Sequence, residues 1–130
     1  MRRARMLVWA TAGLASCAVV AGPVADAATG PKRPRLTVTV NDNYYLPKTK
    51  TIAAGTTVRW YWPMTTLDVH DVKLEKAPKG GKKFESDPLA AGQSFTRKLS
   101  KPGRYYLICT FHEGMTMTLT VKKPKKAKKR

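Results

Sequence analysis

The sequence predicts an all-β protein, a sandwich of short strands packed around one core. Segments with alternating apolar and polar residues, rich in Val, Thr and Ile, recur between residues 36 and 121. Turn signals containing Gly or Pro separate these segments, and no segment of the sequence carries a helical repeat of apolar residues. Short strands at this spacing are typical of a β-sandwich or a barrel.

Seven segments fit the strand pattern, beginning with LTVTV, in which apolar and hydroxyl side chains alternate strictly. Later segments such as TVRWYW and MTLTV repeat this period of two, so one face of each would enter the core. The predicted strands are 36–40, 49–52, 57–62, 69–74, 94–99, 104–109 and 117–121. The turn signals between them lie at 54–55, 78–81, 87–88, 91–92 and 102–103.

The first 27 residues have the pattern of a cleaved signal peptide. A basic start (MRRAR) precedes an apolar stretch at 6–21, and Ala-Asp-Ala at 25–27 fits a small-residue cleavage site. The apolar stretch is shorter than the roughly 20 residues that a membrane-spanning helix requires. We therefore expect an exported, extracytoplasmic protein, periplasmic or at the cell surface, with a leader at 28–35 and one domain at 36–121.

A competing interpretation is that the protein is a lipoprotein. The stretch LASC at 14–17 resembles a bacterial lipobox, which would leave an acylated Cys17 as the mature N-terminus. Against this, the apolar run continues through 18–20, where a polar tether is usual, so cleavage after Ala27 is favoured. That cleavage would leave Cys109 as the single cysteine and exclude an intrachain disulfide.

The chain is strongly basic, with 25 Lys and Arg against 8 Asp and Glu and a formal net charge of +17. Residues 122–130 (KKPKKAKKR) concentrate this charge without an apolar face, which predicts a disordered tail. The tail is either simply solvated or docks to anionic lipid head groups, an acidic wall polymer or an acidic redox protein. Export and the lack of interleaved aromatic residues disfavour nucleic acid as a partner, and a monomer is expected. Lys79, Lys82 and Lys83 form a second basic patch.

The segment 103–115 (GRYYLICTFHEGM) carries three side chains that bind metals: Cys109, His112 and Met115. A strand ending in Cys, a tight loop carrying His and a Met beyond it can converge on one ion. Soft sulfur combined with imidazole nitrogen suits copper far better than calcium, magnesium or a four-thiolate zinc site. The only other histidine of the sequence, His70, lies in the predicted strand 69–74, from which a sheet contact would deliver it. Two His, one Cys and a weak axial Met make a blue-copper set.

At this point the sequence resembles the cupredoxins, in particular the small single-domain blue copper proteins of the plastocyanin and amicyanin type. The resemblance rests on a Tyr-x-Pro start at Tyr45 and Pro47, the stretch IAAGTTVRW at 52–60, then His70, then the segment 103–115, all in the family's order. It covers nearly the whole of the predicted domain. The fold that it implies is a Greek-key β-sandwich.

The resemblance implies one copper ion with His70, Cys109 and His112 as equatorial ligands and Met115 as the axial ligand. Met117 is the alternative axial ligand, because it follows on the same side of an extended strand. The register of the following apolar residues favours Met115 and leaves Met117 as core packing. Considered without the resemblance, Cys109 would be a buried structural thiol and His70 a hydrogen-bonded core residue.

Two positions depart from the family's usual pattern. Asp71 follows the first ligand histidine where Asn is frequent, and Phe111 precedes the second where Pro is frequent. Asp71 is expected to bond across to the backbone near Thr110, while its charge would favour the oxidised state of the metal. The resemblance also implies that His112 is the ligand nearest to solvent and that His70 lies deeper.

The predicted function is single-electron shuttling between redox partners, without enzymatic activity. The sequence offers no separate nucleophile and base, and it lacks the further histidines that a multicopper oxidase needs. A copper-binding or delivery protein without a redox partner uses the same ligands and remains the alternative. A metal-free interaction module is disfavoured by the complete ligand set.

Overall fold

The computed structural model describes residues 35–124, which form eight strands and no helix. It therefore contains no helix long and apolar enough to cross a membrane within those residues. The predictions of a signal peptide at 1–27 and an acylated Cys17 lie outside the described residues, and so does the part 125–130 of the disordered tail predicted at 122–130. The strands are β1 (Arg35–Asn41), β2 (Tyr44–Leu46), β3 (Thr49–Ala53), β4 (Thr56–Tyr61), β5 (Lys73–Lys76), β6 (Ser94–Leu99), β7 (Gly103–Ile108) and β8 (Thr116–Lys122).

The strands form two four-stranded sheets, which confirms the predicted sandwich. One sheet has the order β2-β1-β4-β6 and the other β3-β8-β7-β5. Each sheet is mixed, because β1 pairs in parallel with β4 and β3 in parallel with β8, whereas all other pairs are antiparallel. Both parallel pairs join strands that do not follow each other in the sequence.

The core lies between the sheets and is built from the alternating residues that the sequence predicted. In β8 the inward positions are Met117, Leu119 and Val121, and the threonines between them are half-buried on the outer face. Trp60 of β4 and Leu107 of β7 enter the same core and are fully buried. The alternation arises because successive side chains of a strand point to opposite faces of its sheet.

The strand directions assign the connections to two ends of the sandwich. The connections 42–43, 62–72, 87–93 and 109–115 lie at one end, which we call the metal end. The turns 54–55 and 100–102, and the segment 77–83 that follows β5, lie at the opposite end, which we call the distal end. After the segment 77–83, residues 84–86 run antiparallel beside β5 and take the chain back to the metal end. Glu85 forms an isolated β-bridge with Lys73 of β5 there.

The structure differs from the sequence prediction at three places. In the predicted strand 69–74, only the last two residues belong to β5, and His70 lies in the loop before it with a single bridge to Leu89. The alternation fails there because His70 and the two residues after it are all buried. The short strand β2 was not predicted, because its three residues end at Pro47 and are too few to show a period. Lys122, predicted to begin the tail, is the last residue of β8.

We expect the core to carry most of the stability. Leu107→Ala removes a fully buried side chain between the sheets and should lower the free energy of unfolding by about 2–5 kcal/mol. Thr96→Ala, at an exposed position of β6, should cost less than about 1 kcal/mol. Urea unfolding of the metal-free variants measures both values. Equal losses in the two variants would contradict this assignment of the core.

Candidate metal centre

Three of the four predicted ligands lie together at the metal end. The ligand atoms of His70, Cys109 and His112 are all within 4.8 Å of one another. The Sγ atom of Cys109 is 3.7 Å from Nδ1 of His70 and 3.8 Å from Nδ1 of His112. Cys109 follows directly after β7, His112 lies in the β7–β8 loop, and His70 comes from the β4–β5 connection. One thiol therefore faces two imidazole nitrogens delivered from separate parts of the chain.

The backbone of His70 is held by Leu89. The two residues exchange both of their backbone hydrogen bonds, at 3.0 and 2.9 Å, outside any named strand. The side chain of His70 is completely buried, so this predicted ligand lies deeper than His112. The side chain of His112 keeps 24% of its surface exposed.

The imidazole of His70 is oriented by Asp42, in the turn between β1 and β2. Nε2 of His70 lies 3.2 Å from the Asp42 carboxylate, which also accepts backbone N–H bonds from Leu67 and Asp68. The backbone bond from Asp68, followed by that from Leu67, holds the pKa of Asp42 below its usual range. An ionised carboxylate at Nε2 fixes the proton there and leaves the Nδ1 lone pair facing Cys109, as a metal ligand requires.

The β7–β8 loop is closed by its own backbone. The N–H of Cys109 donates to the carbonyl of Met115 at 3.0 Å, and the N–H of Met115 donates to the carbonyl of His112 at 3.2 Å. Gly114 adopts a φ of +79°, a left-handed conformation that favours glycine and permits this tight turn. The loop thus holds Cys109 and His112 on one side while Met115 leads into β8.

Asp71 joins the two ligand-bearing connections across 39 residues of sequence. Its carboxylate accepts hydrogen bonds from the backbone N–H of Thr110, at 2.7 Å, and from the Thr110 hydroxyl. The hydroxyl of buried Tyr45 donates to the backbone carbonyl of Asp71 at 2.6 Å. The expected bond from Asp71 to the backbone near Thr110 is therefore present. These hydrogen bonds connect Asp71, which follows His70, to Thr110, which follows Cys109.

The axial position is a prediction that rests on the sequence register. Met115 and Met117 are both almost fully buried, at 1% exposure each, so burial does not separate them. Met117 faces Leu107 across the β7–β8 pair, a position typical of core packing. Met115 lies at the end of the ligand loop and stays the predicted axial ligand.

Sequence analysis missed two carboxylates that face the ligand histidines. Asp42 lies at Nε2 of His70, and Asp68 has an oxygen 3.7 Å from Nε2 of His112. Asp42 lies in an Asn-Asp-Asn turn, where an acidic residue is common for local reasons, so nothing in the sequence marked its distant contact. The exposed Asp68 lies in no sequence motif that indicated a contact with His112.

The donor set fits copper. A thiolate and two imidazoles held in a buried pocket are the equatorial ligands of blue-copper sites, and a weak thioether completes such sites axially. Calcium and magnesium prefer all-oxygen ligands, which the three clustered side chains do not provide. The second nitrogen of His70 lies within hydrogen-bond distance of the Asp42 carboxylate, the outer contact that supports metal-binding imidazoles.

The comparison with protein families decides the family of this chain. The cupredoxin-like domain model matches residues 5–121. The chain belongs to the cupredoxin-like family. Cupredoxins bind copper, and His70, Cys109 and His112 of this cupredoxin are positioned for such a metal site.

Individual relatives agree with the family assignment. A plastocyanin of Prochlorothrix hollandica is 34% identical over 85 residues, which are 59% of this chain and 60% of that relative, so the chain spans less than two thirds of its length. A purple cupredoxin of Nitrosopumilus maritimus is 26% identical with a TM-score of 0.57, over 67% of this chain and 99% of that one. A Cu-containing nitrite reductase of Thermus scotoductus is 28% identical with a TM-score of 0.64, over 80% of this chain and 26% of that one.

Metal binding should displace a proton from Cys109. Burial raises the pKa of this thiol above its ordinary value of 9.0, so the metal-free thiol is protonated at pH 8, whereas the metal binds the thiolate. Adding Cu(I) to weakly buffered metal-free protein at pH 8 should release about one more proton per ion than Cys109→Ser does. A pH indicator dye measures the release. Equal release from the two proteins would show that the thiol is not a ligand.

Proposed function

We propose that this cupredoxin is an exported carrier of single electrons that uses one copper ion. The observation that supports this function is the cluster of His70, Cys109 and His112, in which two ligands are buried and the third reaches the surface. Electrons would enter and leave along the edge of His112. The exposed side chain of Phe111, next to this histidine, gives an apolar surface for partner contact.

Copper, when bound, would supply the one-electron chemistry by alternating between Cu(I) and Cu(II). His70 and Cys109 exclude water from the inner side of the site, since they expose 0% and 5% of their surfaces. The clamp from Asp71 to Thr110 and the contact from Asp42 to His70 hold these ligands in place in both oxidation states. Electron transfer is fast when the ligand geometry changes little between states.

We propose a carrier and not an enzyme, because the carboxylates of Asp42 and Asp71, next to the cluster, already have hydrogen-bond partners. The carboxylate of Asp42 accepts hydrogen bonds from two backbone N–H groups and contacts His70. The carboxylate of Asp71 accepts a hydrogen bond from the backbone N–H of Thr110. Neither is placed as a base that acts on a substrate. The likeness to a nitrite reductase covers only 26% of that longer chain.

Export remains part of the proposal, with the signal pattern at 1–27 as its support. The lipoprotein form acylated at Cys17 is the alternative mode of export. The partners that we propose are a redox protein, acidic if the tail at 122–130 takes part in docking, and an anionic membrane or wall polymer. The protein is proposed to act as a monomer.

Axial ligation should appear in the reduction potential. Met115→Leu should keep copper bound and raise the potential, because a weak thioether donor tunes the metal without holding it. Met117→Leu is the matched control and should change the potential little, since we assign this side chain to packing against Leu107. Spectroelectrochemical titration measures both potentials. The reverse ranking would transfer the axial role to Met117.

Electron exchange and metal transfer distinguish the carrier from a copper-delivery protein. Stopped-flow mixing of the Cu(I) protein with ferricyanide should give rapid oxidation, and copper should remain bound through repeated oxidation and reduction. In a parallel experiment, a Cu(I) chelator such as bathocuproine disulfonate should remove the metal much more slowly. Zinc-loaded protein is the control without a redox signal. Slow oxidation combined with rapid loss of copper to the chelator would identify a delivery protein instead.

Removal of residues 125–130 should change association and leave the metal centre unchanged. The deletion removes five of the seven positive charges of the segment 122–130. The last strand, β8, ends at Lys122, at the distal end and away from the predicted metal ligands. The truncated protein should keep its reduction potential and bind anionic vesicles more weakly. The difference should shrink as salt rises to physiological strength, where charges are screened over about 8 Å. Identical binding of the two proteins across the salt series would mean that the tail is only solvated.

A further inference from the structure

A cavity of about 400 Å³ lies at the distal end, far from the ligand loops. The segment after β5, strand β6 and the turn 100–102 form its walls. Its floor is aromatic, with half-buried Phe84 and buried Tyr105. The cationic side chains around it are Lys82, Arg97, Lys98 and Lys101.

The cavity is positive without local compensation. Four of its ten lining residues are Lys or Arg, and none is Asp or Glu. The ion pairs found within residues 35–124 both join a histidine to an aspartate, so none of these four cations forms an ion pair with a carboxylate there. Cations brought together without a carboxylate repel one another, and an anion between them relieves this repulsion.

The walls of the cavity are held by specific contacts. The guanidinium of Arg97 lies over the ring of Phe84, 5.3 Å from its centroid, which directs this side chain along the cavity wall. The hydroxyl of Tyr105 donates to the carbonyl of Lys101 at 2.9 Å and fixes the turn 100–102. The opposite wall contains Gly80, whose φ of +74° belongs to a tight turn closed by a bond from Gly81 N–H to Pro78 carbonyl oxygen at 2.8 Å.

Charge is separated between the two ends of the domain. The metal-end connections 42–43, 62–72, 87–93 and 109–115 contain acidic residues and no Lys or Arg, and the short connection 47–48 at this end adds one cation, Lys48. The distal connections 54–55, 77–83 and 100–102 contain Lys79, Lys82, Lys83 and Lys101 and no acidic residue. This distribution attracts an anion to the cavity and repels it from the metal end.

We propose that the distal cavity binds a phosphate ester. The Arg97 guanidinium matches the paired oxygens of a phosphate, the lysines supply further charge, and the hydroxyl of Ser100 in the lining adds a neutral donor. Phe84, which is only half-buried in the lining, keeps part of its surface open for contact with the apolar part of the ester. Such a group belongs either to an anionic lipid head group or to a soluble or polymeric glycerol phosphate. Binding there leaves the metal end facing away from the bound surface.

The test measures binding by the full chain to two probes that carry the same chemistry. One probe is glycerol 3-phosphate, followed by calorimetry and by amide NMR shifts around the cavity. The other is vesicles of phosphatidylglycerol and phosphatidylcholine, with pure phosphatidylcholine vesicles as the blank. If glycerol 3-phosphate binds and shifts the amide signals of residues 80–84 and 97–101, a free phosphate ester is enough to occupy the cavity. Binding to anionic vesicles alone, lost in the cavity variant below, identifies the lipid head group as the source.

The cavity variant is Lys82→Gln combined with Lys101→Gln, both at exposed positions. Its matched control is Lys48→Gln combined with Lys50→Gln, which removes the same charge from exposed sites outside the cavity and keeps the same tail. The cavity variant should bind at least tenfold more weakly and the control less than twofold. Arg97→Lys keeps the positive charge but loses the planar guanidinium with its paired N–H donors, so it should also weaken binding. Equal weakening in the cavity variant and the control, or no binding of either probe, would overturn the proposal. None of these readouts requires electron transfer, so they are independent of the proposed function.

Discussion

The site depends on bringing His70 to Cys109, which lies 39 residues further along the chain. No regular strand pairing does this, because β5 begins only at Lys73. The backbone exchange between His70 and Leu89 fixes the depth of the histidine, and the bonds from Asp71 to Thr110 fix its distance from the ligand loop. These contacts join loops that are distant in sequence, so the predicted ligands meet only where separate connections of the sandwich come together.

The sandwich and its connections have separate roles. The sheets bury an apolar core that extends from Val38 to Val121. The metal-end loops carry the ligands and the acidic residues, and the distal end carries lysines and a cationic cavity. A single small domain thus presents two surfaces of opposite charge, one suited to electron exchange and the other to anions. This separation follows from the strand order, which sends alternate connections to opposite ends.

The sequence predicted the parts of the structure that depend on local pattern. The alternation of apolar and polar residues located β1, β4, β6, β7 and β8 to within one residue at every end, and the spacing from Cys109 to His112 marked the β7–β8 loop. The pattern failed where distant contacts decide the conformation. Asp71 turns inward to reach Thr110 and breaks the alternation after His70. Asp42 becomes part of the site only because the β1–β2 turn lies beside the β4–β5 connection, a proximity that no local signal encodes.

The visible absorption spectrum of protein loaded with one equivalent of Cu(II) tests the central claim most directly. The claim is that one thiolate, from Cys109, and two imidazoles bind copper together within the buried cluster. A copper-thiolate bond in such a site gives an intense charge-transfer band in the visible range, so the protein should be strongly coloured and should lose the band in Cys109→Ala while remaining a folded β protein. A weak spectrum typical of copper bound by nitrogen and oxygen alone, unchanged in Cys109→Ala, would contradict the account.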